Sequence, residues 1–127
     1  MTPAAKIVGL LADNLDKLTG VTAENLYAYQ IDDQNYDTTN VILVVTEDSA
    51  GDHEFGNGDV ISTIRRVSIQ FYYPKDFDND MAKIEKSVEA FLRTRRIRCY
   101  LDAGHVLTPD TQNITNTLKF NYLEMEE

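Results

Sequence analysis

The spacing of hydrophobic and polar positions changes several times along the chain, and each change predicts an element. Thr2 and Pro3 suit an N-cap and a first helical position. Ile7, Leu10, Leu11, Leu15 and Leu18 then recur at helical spacing until Gly20 offers a stop, which predicts a helix over 3–18. Residues 26–31 alternate weakly and carry Tyr27 and Tyr29, a short strand before the polar turn 32–40. Residues 41–46 are a continuous apolar, largely β-branched run, as expected of a strand covered on both faces or central in its sheet. Residues 47–59 show no periodicity and mix glycines with Glu47, Asp48, Asp52, Glu54 and Asp59, which predicts a long acidic loop turning a hairpin. Over 60–73, Val67, Ile69, Phe71 and Tyr73 share one face and Arg66, Ser68, Gln70 and Tyr72 the other, until Pro74 ends the strand.

A second helix follows, with the stripe Met81, Ile84, Val88, Phe91 and Leu92 and with Asp76 or Asp78 as its cap. Asp80 near its start and Arg93, Arg95 and Arg96 near its end match the helix dipole. Ile97, Cys99 and Leu101 then alternate with Arg96, Arg98 and Tyr100 as a strand, 102–113 is rich in turn residues, and 114–123 alternates as the last strand. The order is α-β-β-β-α-β-β. Strand-to-strand links without helices favour antiparallel pairing, so the expected fold is α+β: about five strands in a mainly antiparallel or mixed sheet, with both helices packed on one face.

Composition narrows this picture. A chain of 127 residues fits one domain over 1–127, with 124–127 as a frayed tail, and 43% hydrophobic with 26% charged residues is ordinary for a folded protein. The single cysteine, Cys99, has no partner for an internal disulfide, which fits synthesis in a reducing cytoplasm. The start of the chain lacks the pattern of a secretory leader, and no stretch approaches the roughly 20 apolar residues that span a bilayer. Neither secretion nor membrane insertion is expected.

The net charge of -9 argues against general phosphate binding and so against nucleic-acid recognition. Its distribution is uneven. Residues 1–60 hold 11 acids against 2 lysines, a balance of -9, whereas 61–127 hold 10 acids and 10 bases and balance to 0.

Each candidate for chemistry meets a simpler account. Asp76, Asp78 and Asp80 open like a calcium loop, but Met81 stands where glycine makes the turn and Ser87 where a glutamate closes the cage, so helix capping is preferred. Asp52, His53 and Glu54 offer metal ligands, yet the only other histidine, His105, lies on a different turn. Cys99 with His105 is a formal nucleophile–base pair, without an orienting carboxylate pattern or an oxyanion loop; Cys99 reads first as a small core residue. Gly56, Asn57 and Gly58 lack the lysine of a phosphate loop. No catalytic, cofactor or metal site is therefore expected.

Two charged clusters remain. Arg93, Arg95, Arg96 and Arg98 form the one dense basic patch, with Arg65 and Arg66 near it if the strands pair that way. They suit helix-end capping on a solvated strand edge, docking to an acidic protein surface or, least well, nucleic acid, since no aromatic platform interleaves them. The acidic stretch is either a solvated hairpin or the complement of that patch on another copy. A head-to-tail contact between complementary patches closes into a ring when the rotation allows.

A family resemblance rests on the order of these parts. They are a first helix, the strand Val41 to Glu47, the Gly-rich loop around Phe55, Gly56 and Asn57, and the strand Arg66 to Pro74. An amphipathic helix follows, then the turn Gly104 to Gln112 before a Thr-rich last strand. The chain resembles, over nearly its whole length, the small minor tail proteins of phages infecting Gram-positive bacteria, a family of unknown function similar to tail terminators. The resemblance implies an α+β subunit that assembles into a hexameric ring. That ring caps the tail tube, stops its elongation and meets the head–tail connector, without catalysis or cofactors. It implies a place in the virion, at the head-proximal end of the tail, and partners that are further copies, the tail tube protein and the connector. Glu47, Asp48, Asp52, Glu54, Asp59, Arg93, Arg95, Arg96 and Arg98 are the candidate contacts between copies or with the tube. Another neck component, or a small cytoplasmic enzyme or ligand-binding module, remains an alternative.

Overall fold

The computed structural model describes residues 2–31, 39–48, 53–56, 59–75, 77–109 and 113–125, with 53–56, 59–62 and 125 as backbone only. Helix α1 spans Pro3–Ala12. Pro3 takes the first turn, where no amide donor is missed, and the Thr2 hydroxyl accepts from the Ala5 amide at 3.2 Å. The helix ends well before residue 18. The Asn14 side-chain amide donates to the Leu10 carbonyl at 2.9 Å, taking the acceptor that a further helical turn needs, and Asn14 itself leaves helical geometry. The apolar spacing continues through a 3-10 turn at Leu15–Lys17, so Leu15 and Leu18 still pack against the core.

Strand β1 is Leu26–Ala28, shorter than 26–31, because Tyr29 adopts a φ of 75° and turns the chain. It pairs in parallel with β2, Ile42–Glu47, through Leu26 opposite Leu43. The connection 29–41 is long enough for such a crossover. The remaining pairings are antiparallel. Two long strands, β4 (Asp59–Tyr73) and β7 (Ile114–Met125), run side by side through the middle of the sheet. Each is flanked on its other side by a strand in two pieces. Beside β4 lie β2 and then β3, His53–Gly56; beside β7 lie β5, Arg98–Asp102, and then β6, Val106–Leu107. The sheet order is β1-β2-β4-β7-β5, with β3 added at β4 and β6 at β7.

Two stretches read as loops thus contribute strands. Segment 47–59 does turn a hairpin, but β3 pairs there with the start of β4, Gly56 facing Asp59. Segment 102–113 contains β6, and β7 runs through Glu124 and Met125, past the expected end at residue 123. Such short pieces are too brief to show a period of two; the unpaired backbone of a long neighbour recruits them.

Helix α2, Met81–Thr94, is capped by Asp80, whose side chain accepts from the Lys83 amide at 3.1 Å, rather than by Asp78. Asp76, the other expected cap, lies outside the described residues. Before it, Pro74 opens a turn closed by the Phe77 amide on the Pro74 carbonyl at 3.2 Å. At its far end the Arg96 amide donates to Arg93 and the Ile97 amide to Leu92, with Arg96 at a φ of 63° where glycine is usual.

Both helices cover the same sheet face. Ile7 and Leu11 of α1 and Ile84, Val88 and Leu92 of α2 join Leu43, Val45, Val67, Ile69, Phe71, Tyr73, Leu118 and Phe120 in one buried cluster. Each such side chain contributes roughly 1.5–3 kcal/mol of transfer free energy. The opposite face bears Arg66, Ser68, Gln70, Thr117, Lys119 and Asn121 and carries no described helix. Gly20, at a φ of 70°, lets the chain pass close over α2: an added Cβ would meet Ile84 Cδ1 at 3.3 Å.

Candidate functional site

The α2 stripe contains a residue its apolar pattern conceals. Glu85 follows Ile84 on the inward side and is 5% exposed. A carboxylate at such a position needs partners, and the surrounding elements supply three. Its Oε2 accepts from the Tyr73 hydroxyl of β4 at 2.5 Å and lies 2.8 Å from His105 Nε2, and its Oε1 accepts from the Asn116 amide of β7 at 2.9 Å. Burial first, and the bond to Glu85 second, push the Tyr73 hydroxyl well above the ordinary tyrosine range. Asn113 Nδ2 also donates to the Tyr73 carbonyl at 2.9 Å. Three segments thus converge on the one glutamate of α2.

His105 reaches Glu85 from the break between β5 and β6. There Gly104 takes a φ of 89°, its amide donating to Asp102 Oδ1 at 3.0 Å, and the chain dips toward α2 before pairing again at Val106. The Gly104-His105 turn therefore ties the interrupted edge strand to the core. A second irregularity lies within β5. Cys99 faces Phe120 and Leu101 faces Lys119, leaving Tyr100 as the extra residue of a bulge. The bulge turns Leu101 to the helix-free face. Leu101 is 44% exposed instead of sharing the inward face of Ile97, as simple alternation predicts, while Cys99 is half-buried.

The nine candidate contact residues fall into distinct environments. Glu47 is held within the subunit, since its Oε2 accepts from the Ala4 amide at the positive end of α1 at 3.3 Å and from the Tyr29 hydroxyl. Asp48 accepts from the Ser68 hydroxyl at 2.9 Å and from Lys119 Nζ at 3.2 Å, bridging β4 and β7 on the helix-free face. Asp52 lies outside the described residues, and Glu54 and Asp59 are described as backbone of β3 and β4. Arg93, Arg95, Arg96 and Arg98 are all exposed. The Arg95 guanidinium sits 5.4 Å over the Phe91 ring.

The structure also settles the neighbouring arginines. Arg66 and Arg98 both lie opposite Asn121, one on each side of β7, so Arg66 joins the basic row. Arg65 faces the other way and pairs with Glu124 at 3.4 Å. The strand order sets charges apart: β1 and β2 stand toward one edge, with Glu24 and Glu47 exposed beside them, and β5 with its arginines stands at the other.

The remaining chemistry is sparse. Burial, then the bond to Glu89, pushes the Cys99 thiol up to about 11, and the thiol donates to the Leu101 carbonyl at 3.4 Å. Cys99 and His105 thus have separate partners. Among the described residues no three His, Cys, Asp or Glu side chains converge as metal ligands would, and no helix is long and apolar enough to cross a membrane. A cleft of about 330 Å³ lies between Gly20, Asn40, Phe77 and the start of α2, and a shallower groove of about 420 Å³ lies beside Lys17, Ser87 and Phe91.

No curated protein matches the chain in sequence. A family model covering residues 7–123, from within α1 to near the end of β7, does match it; the chain belongs to the DUF806 family, proteins of unknown function.

Proposed function

We propose that this protein is a structural assembly subunit of a long-tailed bacteriophage: the tail terminator, which caps the finished tail tube, stops its elongation and forms the surface that meets the head–tail connector. It works as a homo-oligomeric ring, a hexamer by the resemblance to tail terminators, at the head-proximal end of the tail. It is made in the bacterial cytoplasm and performs no catalysis. The observation that carries the reading is the separation of charge across the sheet, acids toward the β1 edge and arginines at the β5 edge. Complementary, non-identical patches on one subunit favour a head-to-tail contact, the kind that closes into rings. The high Cys99 thiol and the commitment of Glu85 and His105 to each other support a role in contact rather than in reaction.

The test is an elongation assay with purified tail tube protein, read by electron microscopy, beside light scattering of the chain alone and with tubes. Bound rings at one tube end and arrested growth are expected. A protein that ignores tube ends but binds the head portal would be a neck component instead, and one that binds neither sinks the assembly reading.

A further inference from the structure

We propose that the interrupted edge strand β5–β6 is the docking surface for the acidic flank of a second copy, with the His105–Glu85 contact as the anchor that holds this edge in shape. The proposal deepens the assembly reading and rests on it for the identity of the larger structure.

The first observation is apolar exposure at a sheet edge. Tyr100 is 46% exposed, Leu101 44%, Val106 60% and Leu107 59%, and all four lie on these two short strands. Among the described strands β5 and β6 pair only with β7, so the outer side of this edge has no strand beside it. Edge strands normally carry lysines, prolines or other charges that discourage pairing with another chain. Here Arg98 and Asp102 are the charged residues of β5, while Tyr100, Leu101, Val106 and Leu107 group large apolar side chains between and beyond them, and grouped exposure of this kind marks a contact surface.

The second observation is charge. Arg93, Arg95, Arg96 and Arg98, with no acid among residues 93–98, flank this apolar strip, and Arg66 extends the basic row across β7. A partner for an apolar strip rimmed by arginines is acidic. This chain supplies one, since residues 1–60 carry 11 acids against 2 lysines, and Glu24, just before β1, and Glu47, at the end of β2, are exposed toward the opposite edge of the sheet.

The third observation is rigidity. An interface strand binds well when it is already ordered, and β6 is only Val106–Leu107. His105 immediately precedes it and is held at 2.8 Å by the buried Glu85, which Tyr73 and Asn116 fix in turn. Beyond β6, the Thr108 amide donates to the Asn113 carbonyl at 2.8 Å and closes the turn back into β7. The edge is thus pinned at both ends.

Sedimentation velocity of the full-length chain over a concentration series, at low and moderate salt, tests this. The wild-type chain is expected to self-associate, less so at higher salt. Val106→Lys with Leu107→Lys changes two exposed side chains. It should weaken association roughly tenfold or more, with far-UV circular dichroism and melting temperature unchanged. His105→Gln should weaken it less, and His105→Gln with the two lysine changes no further than the lysines alone. A wild-type chain that stays monomeric at every concentration overturns the proposal, as does a lysine variant that associates like wild type. The tube assay reads separately: a monomer that still caps tubes keeps the terminator reading and removes this surface, whereas association through this edge without tube capping does the reverse.

Discussion

At the scale of single residues, Glu85 and Cys99 matter most, and both were hard to read. Glu85 falls within an apolar stripe that reads as amphipathic helix with or without it; only the fold brings Tyr73, His105 and Asn116 to its oxygens. Glu85→Ala should destabilise the protein by about 2–4 kcal/mol in urea unfolding, because it leaves buried donors unpaired. His105→Ala, at a partly exposed end of the network, should cost about 1 kcal/mol. The buried tyrosines and Cys99 define an alkaline limit. Tyr73 ionises in the fold only well above its ordinary value, so its stabilising effect is complete below about pH 10 and is lost as pH rises beyond it. Tyr72 and Tyr122, raised chiefly by burial, act in the same direction. Cys99, raised from 9.0 to about 11, begins the loss earlier, from about pH 9. The melting temperature should therefore fall steadily above pH 9. Alkylation of Cys99 should stay slow until the same range; rapid thiolate chemistry at neutral pH would revive the nucleophile reading.

At the scale of elements, the long amphipathic and alternating segments were legible, and the short ones were not. The stripe of α2 and the two faces of β4 follow directly from residue spacing, because a helix or strand of that length repeats its period several times. The early end of α1 was not legible: the apolar spacing continues to Leu18, while Asn14 diverts the Leu10 carbonyl. Nor were β3 and β6, whose pairing is supplied by β4 and β7. The C-terminus of α2 offers a direct test. Arg96 holds a left-handed conformation that costs a side-chain-bearing residue roughly 1 kcal/mol. Arg96→Gly should leave the fold intact and raise stability by up to about 1 kcal/mol in a denaturant titration, less whatever the freer unfolded chain takes back.

At the scale of the whole molecule, the arginines matter through where the sheet places them. Reversing Arg95 and Arg96 to Glu should weaken self-association and tail joining at low salt, beside a fall of a few degrees in melting temperature from the lost ring contact and the reversed charge at the end of α2; assembly equal to wild type under those conditions would remove complementary charge from the explanation. By itself the sequence determined the α+β class, the one-sided packing of two helices and the imbalance of charge between its halves. These follow from local periodicity and composition, and they need no knowledge of which segments meet. The tertiary structure decided which strands became edges, and so where the charges went. It turned Leu101 outward at a bulge, set Val106 and Leu107 on an open edge, and gave Glu47 and Asp48 partners within the subunit. The physical reason is that pairing, burial and exposure depend on neighbours distant in the chain, which no local pattern of residues encodes.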